Sequence, residues 1–266
     1  MKLRLLFSLA IVSAMLAPGL SAQSPAQVLA PTGTLRAVFL GMNPVQGRID
    51  PQTGKALGPV PEIVEALAKK LGVPFRMIAS PNAAGIARAL DARDADIGVL
   101  AYDEERTRDV DYGAPLLVMF NSYLVRKDSA ISRSGDVDRA GVTVAAVRGQ
   151  TQELWVSSHL KNARVRVFET MPPQQEVERL LTAAGADRID AFAINRQRSL
   201  DAQAESSGRL RALADSFLQV DQSFVVRKGD REKLPLLEAF AAEVRKSGLV
   251  EASIARAKLT GVDVAR

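Results

Sequence analysis

The sequence of 266 residues contains no cysteine and only one histidine, His159. Without cysteine the chain can form neither disulfide bonds nor thiolate metal sites, and it has neither a cysteine nucleophile nor a cysteine for a lipid anchor. His159 lies near the end of a predicted helix and has no second metal ligand at a suitable spacing, which favours a surface position. No serine stands in a G-x-S-x-G setting, and no phosphate-binding loop is present. The sequence therefore predicts no catalytic residue, no metal and no cofactor.

Long apolar runs are also missing, except at the start of the chain. Lys2 and Arg4 precede the apolar residues 5–17, and small residues and turn formers fill the segment up to residue 26. This order predicts a secretory signal peptide over residues 1–22, with cleavage between 21 and 26. An N-terminal membrane anchor is the alternative, but the apolar run is short for a span. We therefore expect a soluble periplasmic protein without a lipid anchor.

Neither sign of charge is in large excess. The formal net charge is +5, and removal of the signal peptide takes away Lys2 and Arg4 but no acid, which leaves +3. The basic residues form no run interleaved with aromatic residues, which make up only 5% of the chain. These features argue against nucleic acid as a partner.

Hydropathy patterns predict two α/β units. Strand and helix patterns alternate over residues 34–101 and again over 141–207, which indicates parallel strands with helical crossovers. Two long extended runs, at 115–129 and 216–230, follow the two units and end in the similar phrases "SYLVRKDS" and "SFVVRKGD". We interpret these runs as paired strands that cross between two lobes.

The crossing strands divide the chain into a discontinuous first lobe and a continuous second lobe. We place the first lobe at 33–124 plus 222–262, completed by the C-terminal helices, and the second lobe at 125–221. Two independent domains with a loose linker are the alternative. Both crossing segments are apolar and β-branched rather than rich in Gly and Ser, which favours a defined hinge.

Open α/β sheets bind ligands at the carboxyl ends of their strands, and three such ends carry polar side chains. The first follows the strand that ends at Ala101, where Asp103 begins a helical turn and Arg106 stands one turn further on. Asp103 is suited to cap this turn. Arg106 either binds a ligand or pairs with a neighbouring acid, since exposed charge runs usually stay solvated. Asp94 and Asp96 precede the same strand and are attributed to turn chemistry.

The other two places lie in the predicted second lobe. Gly149 permits a tight turn, and Gln150 and Thr151 open a helix whose free amides favour an anion. A simple helix cap is the alternative at this position. Asn195 ends an apolar strand, where it either faces the cleft or initiates a turn.

These features, taken in order, resemble the family 3 extracellular solute-binding proteins, the periplasmic amino-acid-binding subunits of ABC importers. The resemblance covers nearly all of the chain after the signal peptide, and it depends on the order and spacing of short phrases. These are "GTLR" (33–36), "EIVEALAKKLGV" (62–73), "ADIGVLAYDEERTRDVDYGAPL" (95–116), "LVRKDS" (124–129), "VRGQT" (147–151), "DRIDAFAIN" (187–195) and "FVVRKGD" (224–230).

The resemblance implies a two-lobed type II periplasmic-binding-protein fold that captures a small carboxylate-bearing solute for a membrane ABC permease. In such proteins an arginine of a T-x-x-R phrase grips the ligand carboxylate, and Arg106 falls on that position. Residues of a G-S/T-T phrase donate to the same carboxylate, and Gln150 and Thr151 stand there. Ala101 and Asp103 would line the cleft on the first lobe.

Several positions depart from the family pattern. Asp103 stands where threonine is usual, the phrase "GFDVDL" reads "GPVPEI" (58–63), and the loop at 41–47 lacks the usual aromatic residue. Asn195 replaces the aspartate that takes the ligand ammonium. A charge-assisted hydrogen bond contributes about 1.5–3 kcal/mol and a neutral one about 1 kcal/mol. A zwitterionic amino acid should therefore bind less well, unless another acid substitutes, whereas a carboxylate without the α-amino group becomes a plausible ligand.

Two other functions use a similar scaffold. Cyclohexadienyl and arogenate dehydratases resemble these binders and need an acid in the cleft, for which Asp103 and Glu62 are the candidates. A solute sensor would signal through a partner protein, since the chain carries no kinase segment. We predict a binding protein rather than an enzyme, acting as a monomer that contacts its permease transiently.

Overall fold

The structure is a computed structural model and describes residues 23–266. The predicted signal peptide, residues 1–22, lies outside the described residues. The described chain opens with a short helix, α1 (Pro25–Leu29), which begins in a capping box between Ser24 and Gln27. Leu29 is buried in a hydrophobic core, so this helix is packed onto the rest of the protein.

Strands and helices then alternate as the sequence predicts. They are β1 (Leu35–Leu40), β2 (Arg48–Ile49), β3 (Ala56–Leu57), α2 (Pro59–Leu71), β4 (Phe75–Ser80), α3 (Ala83–Asp91) and β5 (Ile97–Ala101). Helix α2 buries Ile63, Val64 and Leu67 on one face, in agreement with their helical spacing. Gly72 ends this helix with φ +68°, a left-handed conformation that favours glycine.

A strand of 17 residues, β6 (Val110–Arg126), leaves the first unit. The second unit and the return to the first contain β7 (Thr143–Val147), α4 (Thr151–His159), β8 (Arg164–Phe168), α5 (Gln174–Thr182), β9 (Ala191–Asn195), α6 (Arg196–Glu205), β10 (Leu210–Ala212), β11 (Leu218–Arg227), α7 (Leu234–Lys246), α8 (Leu249–Arg256) and β12 (Val262–Val264). Strands β6 and β11 pair antiparallel, which confirms the prediction of two paired extended runs.

The main sheet has the strand order β4-β1-β5-β11-β6-β9-β7-β8. Strands β4, β1 and β5 are parallel in one lobe, and β8, β7 and β9 are parallel in the other. The carboxyl ends of β1 and β5 face those of β7 and β9 across the crossing strands. The short strands β10 and β12 add to β6, and β2 with β3 forms a separate hairpin.

Separate hydrophobic cores lie on the two sides of the crossing strands. Along β6, Leu117 and Met119 belong to a core of the first lobe, whereas Tyr123 and Leu124 belong to the cores of the second. The change from one lobe's core to the other's falls between residues 119 and 123 of β6, and the predicted division after residue 124 stays a prediction. Among the helices of residues 23–266, none combines the length and the apolar character needed to span a membrane.

The attribution of Asp96 to turn chemistry is wrong. Its side chain is only 2% exposed and accepts hydrogen bonds from Arg36 N at 2.9 Å, Arg36 Nε at 3.0 Å and Arg36 Nη2 at 2.6 Å. This ion pair ties the start of β5 to the start of β1. Asp94 is exposed, as expected for a turn residue.

Candidate ligand-binding site

Arg106 reaches from the first lobe to the second across the cleft. It lies in a 3-10 turn, Glu105–Arg108, that follows β5. Its Nη1 donates to Ala101 O at 3.0 Å, and its Nη2 donates to Gly149 O at 2.9 Å in the other lobe. A cavity of about 370 Å³ opens beside it and is lined by Asp103, Arg106 and Gly149, among others.

The guanidinium of Arg106 has no acidic partner. Within the described chain no carboxylate oxygen lies within 4.0 Å of it, so it donates only to backbone carbonyls. Its neighbours differ, because Arg108 pairs with Glu105 at 3.7 Å and Arg148 pairs with Glu169 at 2.8 Å. The sequence alternative, in which Arg106 pairs with a neighbouring acid, is therefore wrong. Asp103, Glu105, Asp109 and Glu169 line the same cavity as Arg106, but among residues 23–266 none of them forms an ion pair with it.

Asp103 caps the turn that carries Arg106. Its Oδ1 accepts from Glu105 N at 3.0 Å, the bond expected of a short polar side chain at the start of a helical turn. Glu62, the other acid considered for a catalytic role, pairs with Arg256 on α8.

The carbonyl of Ala101 already accepts two hydrogen bonds. Tyr112 Oη donates to Ala101 O at 2.8 Å, in addition to Arg106 Nη1 at 3.0 Å. Burial raises the pKa of the Tyr112 hydroxyl to about 12, so the group stays protonated and donates at neutral pH. A carbonyl oxygen has two lone pairs, and both are occupied here. At this strand end a ligand ammonium would therefore have to turn to the Asp103 carboxylate, which lines the cavity beside Arg106, rather than to Ala101 O.

The "GQT" phrase forms the start of α4. Gly149 has φ +70°, which favours glycine, and Gln150 is the N-cap residue but makes no side-chain cap bond. Thr151 is the first helical residue and is buried. Sequence reasoning missed Glu153, whose Oε2 accepts from Gly149 N at 3.2 Å and places a carboxylate at this helix start.

Asn195 ends β9 and caps α6. Its Oδ1 accepts a hydrogen bond from Arg198 N at 2.9 Å, so the oxygen caps the helix, as the alternative of turn initiation predicts. Its Nδ2 has no acceptor among residues 23–266, which leaves the amide with a donor to offer. Ala101, Gln150, Thr151 and Asn195 lie at the strand ends, but they are not among the lining residues of the cavity beside Arg106.

A second cavity, of about 330 Å³, lies where β1 and β9 end. It is lined by Met42 after β1, by Ile194 on β9 and by Arg198 in the first turn of α6. Arg198 Nη2 donates to Met42 O, which again joins the two lobes. Sequence reasoning missed Arg198, although an arginine in the first turn of a helix opposes the helix dipole and is an unusual choice.

Buried amides surround the crossing strands between the lobes. Gln46 Nε2 donates to Gln222 Oε1 at 2.8 Å, and Gln152 Nε2 donates to Asn121 Oδ1. All four residues are almost fully buried. These side chains carry no charge, so they do not compensate the two arginines.

The fold defines a class, the two-lobed type II periplasmic binding proteins. Within that class the chain belongs to the bacterial extracellular solute-binding proteins, family 3, whose family model matches residues 40–256. This confirms the resemblance seen in the sequence.

Curated and solved relatives agree with this family. The L-cystine-binding protein TcyJ of Escherichia coli strain K12 is 25% identical over 202 residues, which cover 75% of this chain and 73% of that protein. The ancestral amino acid-binding protein AncCDT-1, a precursor of cyclohexadienyl dehydratase, has a TM-score of 0.69 at 24% identity, with 88% of this chain and 99% of that chain covered. The binding protein AbpA of Streptococcus pneumoniae, bound to L-arginine, has a TM-score of 0.69 at 17% identity, with coverage of 87% and 97%.

Proposed function

We propose that this protein is a periplasmic solute-binding protein that captures a small carboxylate-bearing solute, an amino acid or a similar organic acid, between its lobes. It acts as a monomer and delivers the solute to a membrane ABC permease through transient contacts. Family membership supports this function, and relatives named for L-cystine and L-arginine binding make an amino-acid-like solute the natural class.

The observation that carries the proposal is that the Arg106 guanidinium forms no ion pair within the described residues and donates to carbonyls of both lobes. A charged arginine that donates only to Ala101 O and Gly149 O gains from exchanging a carbonyl for a carboxylate. A planar guanidinium also matches a carboxylate in bidentate geometry. Thr151, Gln150 and the amides at the start of α4, apart from Gly149 N, which donates to Glu153, complete the anion site on the second lobe.

The environment of Asn195 favours a solute that has no ammonium group. The Asn195 side chain is neutral, its Oδ1 is already used by Arg198 N, and Ala101 O already accepts two bonds. At these strand ends an ammonium group would therefore depend on Asp103, the acid that lines the cavity beside Arg106.

We propose capture without a chemical step. The two acids considered for protonating a leaving group are engaged elsewhere, Asp103 with Glu105 N and Glu62 with Arg256. Prephenate and arogenate should therefore not be turned over by the purified protein, and turnover above the uncatalysed rate would overturn this part of the proposal.

Calorimetry on Arg106→Gln tests the clamp, after a thermal-shift screen of amino acids, hydroxy acids and organic acids on the wild-type protein. Loss of one charge-assisted bond costs about 1.5–3 kcal/mol, so affinity for the best carboxylate should fall roughly 10- to 100-fold. Arg133→Gln is the matched control, because Arg133 is exposed, pairs with Asp136 at 3.7 Å and does not line the cavity beside Arg106. Unchanged affinity in Arg106→Gln would refute the clamp.

A further inference from the structure

The first turn of α6, a helix of the second lobe, is bonded to the first lobe in two places. Arg198 Nη2 donates to Met42 O in the loop that follows β1. Gln197 Oε1 accepts from Thr260 N at 2.8 Å and from Gly261 N at 3.2 Å, in the segment between α8 and β12. Neighbouring residues of one helical turn thus reach two separate segments of the first lobe.

Gly261 brings backbone against backbone at this junction. A Cβ atom at residue 261 would lie 2.3 Å from Gln197 N and 2.9 Å from Gln197 Cα, so a side chain does not fit here without a shift of the backbone. The carbonyl of Gly261 accepts from Phe120 N on the crossing strand β6 at 3.1 Å. Gln197 is buried, so its hydrogen bonds are shielded from water. The first turn of α6, Gly261 and β6 therefore form one closely packed junction.

The segment that carries Gly261 belongs to the first lobe. Strand β12 pairs with residues 117–119 of β6, and Val262 is buried in the core of the first lobe. The hydrogen bonds to Gln197 therefore join the two lobes. Helix α6 follows β9, which lies directly beside β6 in the sheet, so the junction is next to the crossing strands.

The other side of the cleft, where α3 lies opposite the start of α4, is joined by fewer bonds. The cavity of about 370 Å³ lies between the lobes there, with Ala84 of α3 on one wall and Leu154 of α4 on the other. Outside the crossing strands, the bond from Arg106 to Gly149 O is the one hydrogen bond that joins the lobes on this side within residues 23–266. Strand β7, which leads to α4, also lies one strand further from β6 than β9 does.

We propose that the first turn of α6 is the fixed side of the cleft, and that the lobes part on the side of α3 and α4, so that a solute enters past Arg106. Opening on that side breaks one hydrogen bond, whereas opening at α6 would break three and would separate Gly261 from Gln197. Hinge motion is expected where the fewest contacts are lost. Gln197 is then a positioning residue, because it keeps the α6 turn on the first lobe while the opposite side opens.

Distances between pairs of spin labels in the ligand-free protein test this inference by pulsed electron paramagnetic resonance. The chain has no cysteine, so labels attach only at introduced cysteines. Arg88→Cys with Lys161→Cys spans the side of α3 and α4, and Ala204→Cys with Ala255→Cys spans the side of α6 and α8; all four positions are exposed. The first pair should show a broad or two-peaked distance distribution, and the second pair a single narrow one.

Variants on the two sides should act on different label pairs. Arg106→Gln removes a charge-assisted hydrogen bond, so it should raise the ratio of open to closed molecules at least about tenfold in the first pair. It should leave the second pair unchanged.

Gly261→Ala and Gln197→Ala should broaden the second pair, the former by overlap with Gln197 N and the latter by loss of two accepted hydrogen bonds. Gly135→Ala is the matched control, because open space surrounds the Cβ position of Gly135 and its φ is not positive. Thermal unfolding of each variant checks that the fold is retained.

Three results would overturn the inference. The first is a second pair as broad as the first in the wild type, and the next is an equal shift of both pairs, or of neither, in Arg106→Gln. The last is a second pair that is the same in Gly261→Ala, Gln197→Ala and Gly135→Ala. These measurements use no solute, so a failure of Arg106 as a carboxylate clamp is detected by calorimetry alone and leaves this inference standing.

Discussion

Replacement of Asn195 by aspartate should reverse the preference of the cleft between anions and zwitterions. The introduced aspartate would keep the cap of α6, because a carboxylate oxygen can accept from Arg198 N as Asn195 Oδ1 does at 2.9 Å. The change therefore acts on the cleft rather than on folding. It replaces the free Nδ2 donor by an acceptor and adds a negative charge.

The magnitude follows from the two kinds of hydrogen bond. A charge-assisted bond to an ammonium exceeds a neutral one by about 1 kcal/mol, or roughly fivefold in affinity. A dicarboxylate loses a donor and gains a like charge, which costs at least a similar factor. The ratio of L-aspartate affinity to succinate affinity should thus rise about 25-fold in Asn195→Asp relative to the wild type.

Calorimetry with L-aspartate and succinate on both proteins measures this ratio directly. Thermal unfolding without ligand should differ little between the two proteins, because the cap is kept. A ratio that stays within about threefold of the wild-type value would refute a ligand-facing role for residue 195. A fall in the ratio would refute the charge argument itself.

Two further predictions concern stability, measured by urea unfolding. Burial opposes the charge of Asp111, but hydrogen bonds from Gly229 N, Lys228 and Arg231 hold the pKa of its carboxyl below the usual value. The ionised carboxylate therefore stabilises the folded protein above about pH 4, the unfolded pKa. This stabilisation is lost as the pH falls through the lower folded pKa. Asp111→Asn should lower the free energy of unfolding by about 1–3 kcal/mol at pH 7, and the difference from the wild type should vanish in acid. An equal difference at pH 7 and in acid would contradict this prediction. Asp96→Asn should lower the free energy of unfolding by about 3 kcal/mol, because it leaves the Arg36 guanidinium without its carboxylate. Asp94 is exposed, so Asp94→Asn should leave the stability unchanged. A similar loss of stability in both variants would contradict the role of the ion pair.

Long periodic elements were predictable from the sequence, whereas short ones were not. The helical part of the alternating pattern over 34–101 includes the phrase at 62–73, which corresponds to α2 at Pro59–Leu71, and the long extended run at 115–129 corresponds to β6. Strands β10 and β12 have three residues each, too few to show an alternating pattern. They form because β6 offers free edge positions beyond its contacts with β9 and β11.

The position of Arg106 beside the cleft was predictable, because a strand end there coincides with a family phrase, whereas its role in binding stays a prediction. The two hydrogen bonds to Ala101 O were not predictable, because one of them comes from Tyr112 on β6, whose side chain reaches the end of β5. Arg198 was missed because sequence reasoning stopped at Asn195, three residues earlier. The tertiary contact that brings Arg198 to the cleft is the bond to Met42 O, 156 positions away in the sequence.

The two interlobe bonds explain why the cleft should select anions rather than neutral acceptors. Arg106 and Arg198 each already donate to a carbonyl of the opposite lobe. A neutral ligand oxygen would merely replace one uncharged acceptor by another, with little gain in free energy. A carboxylate adds the Coulomb attraction of a desolvated ion pair to the same geometry. Because Arg106 donates to a carbonyl of the opposite lobe, we propose that an anion bound to Arg106 is held by both lobes and that its charge couples binding to closure.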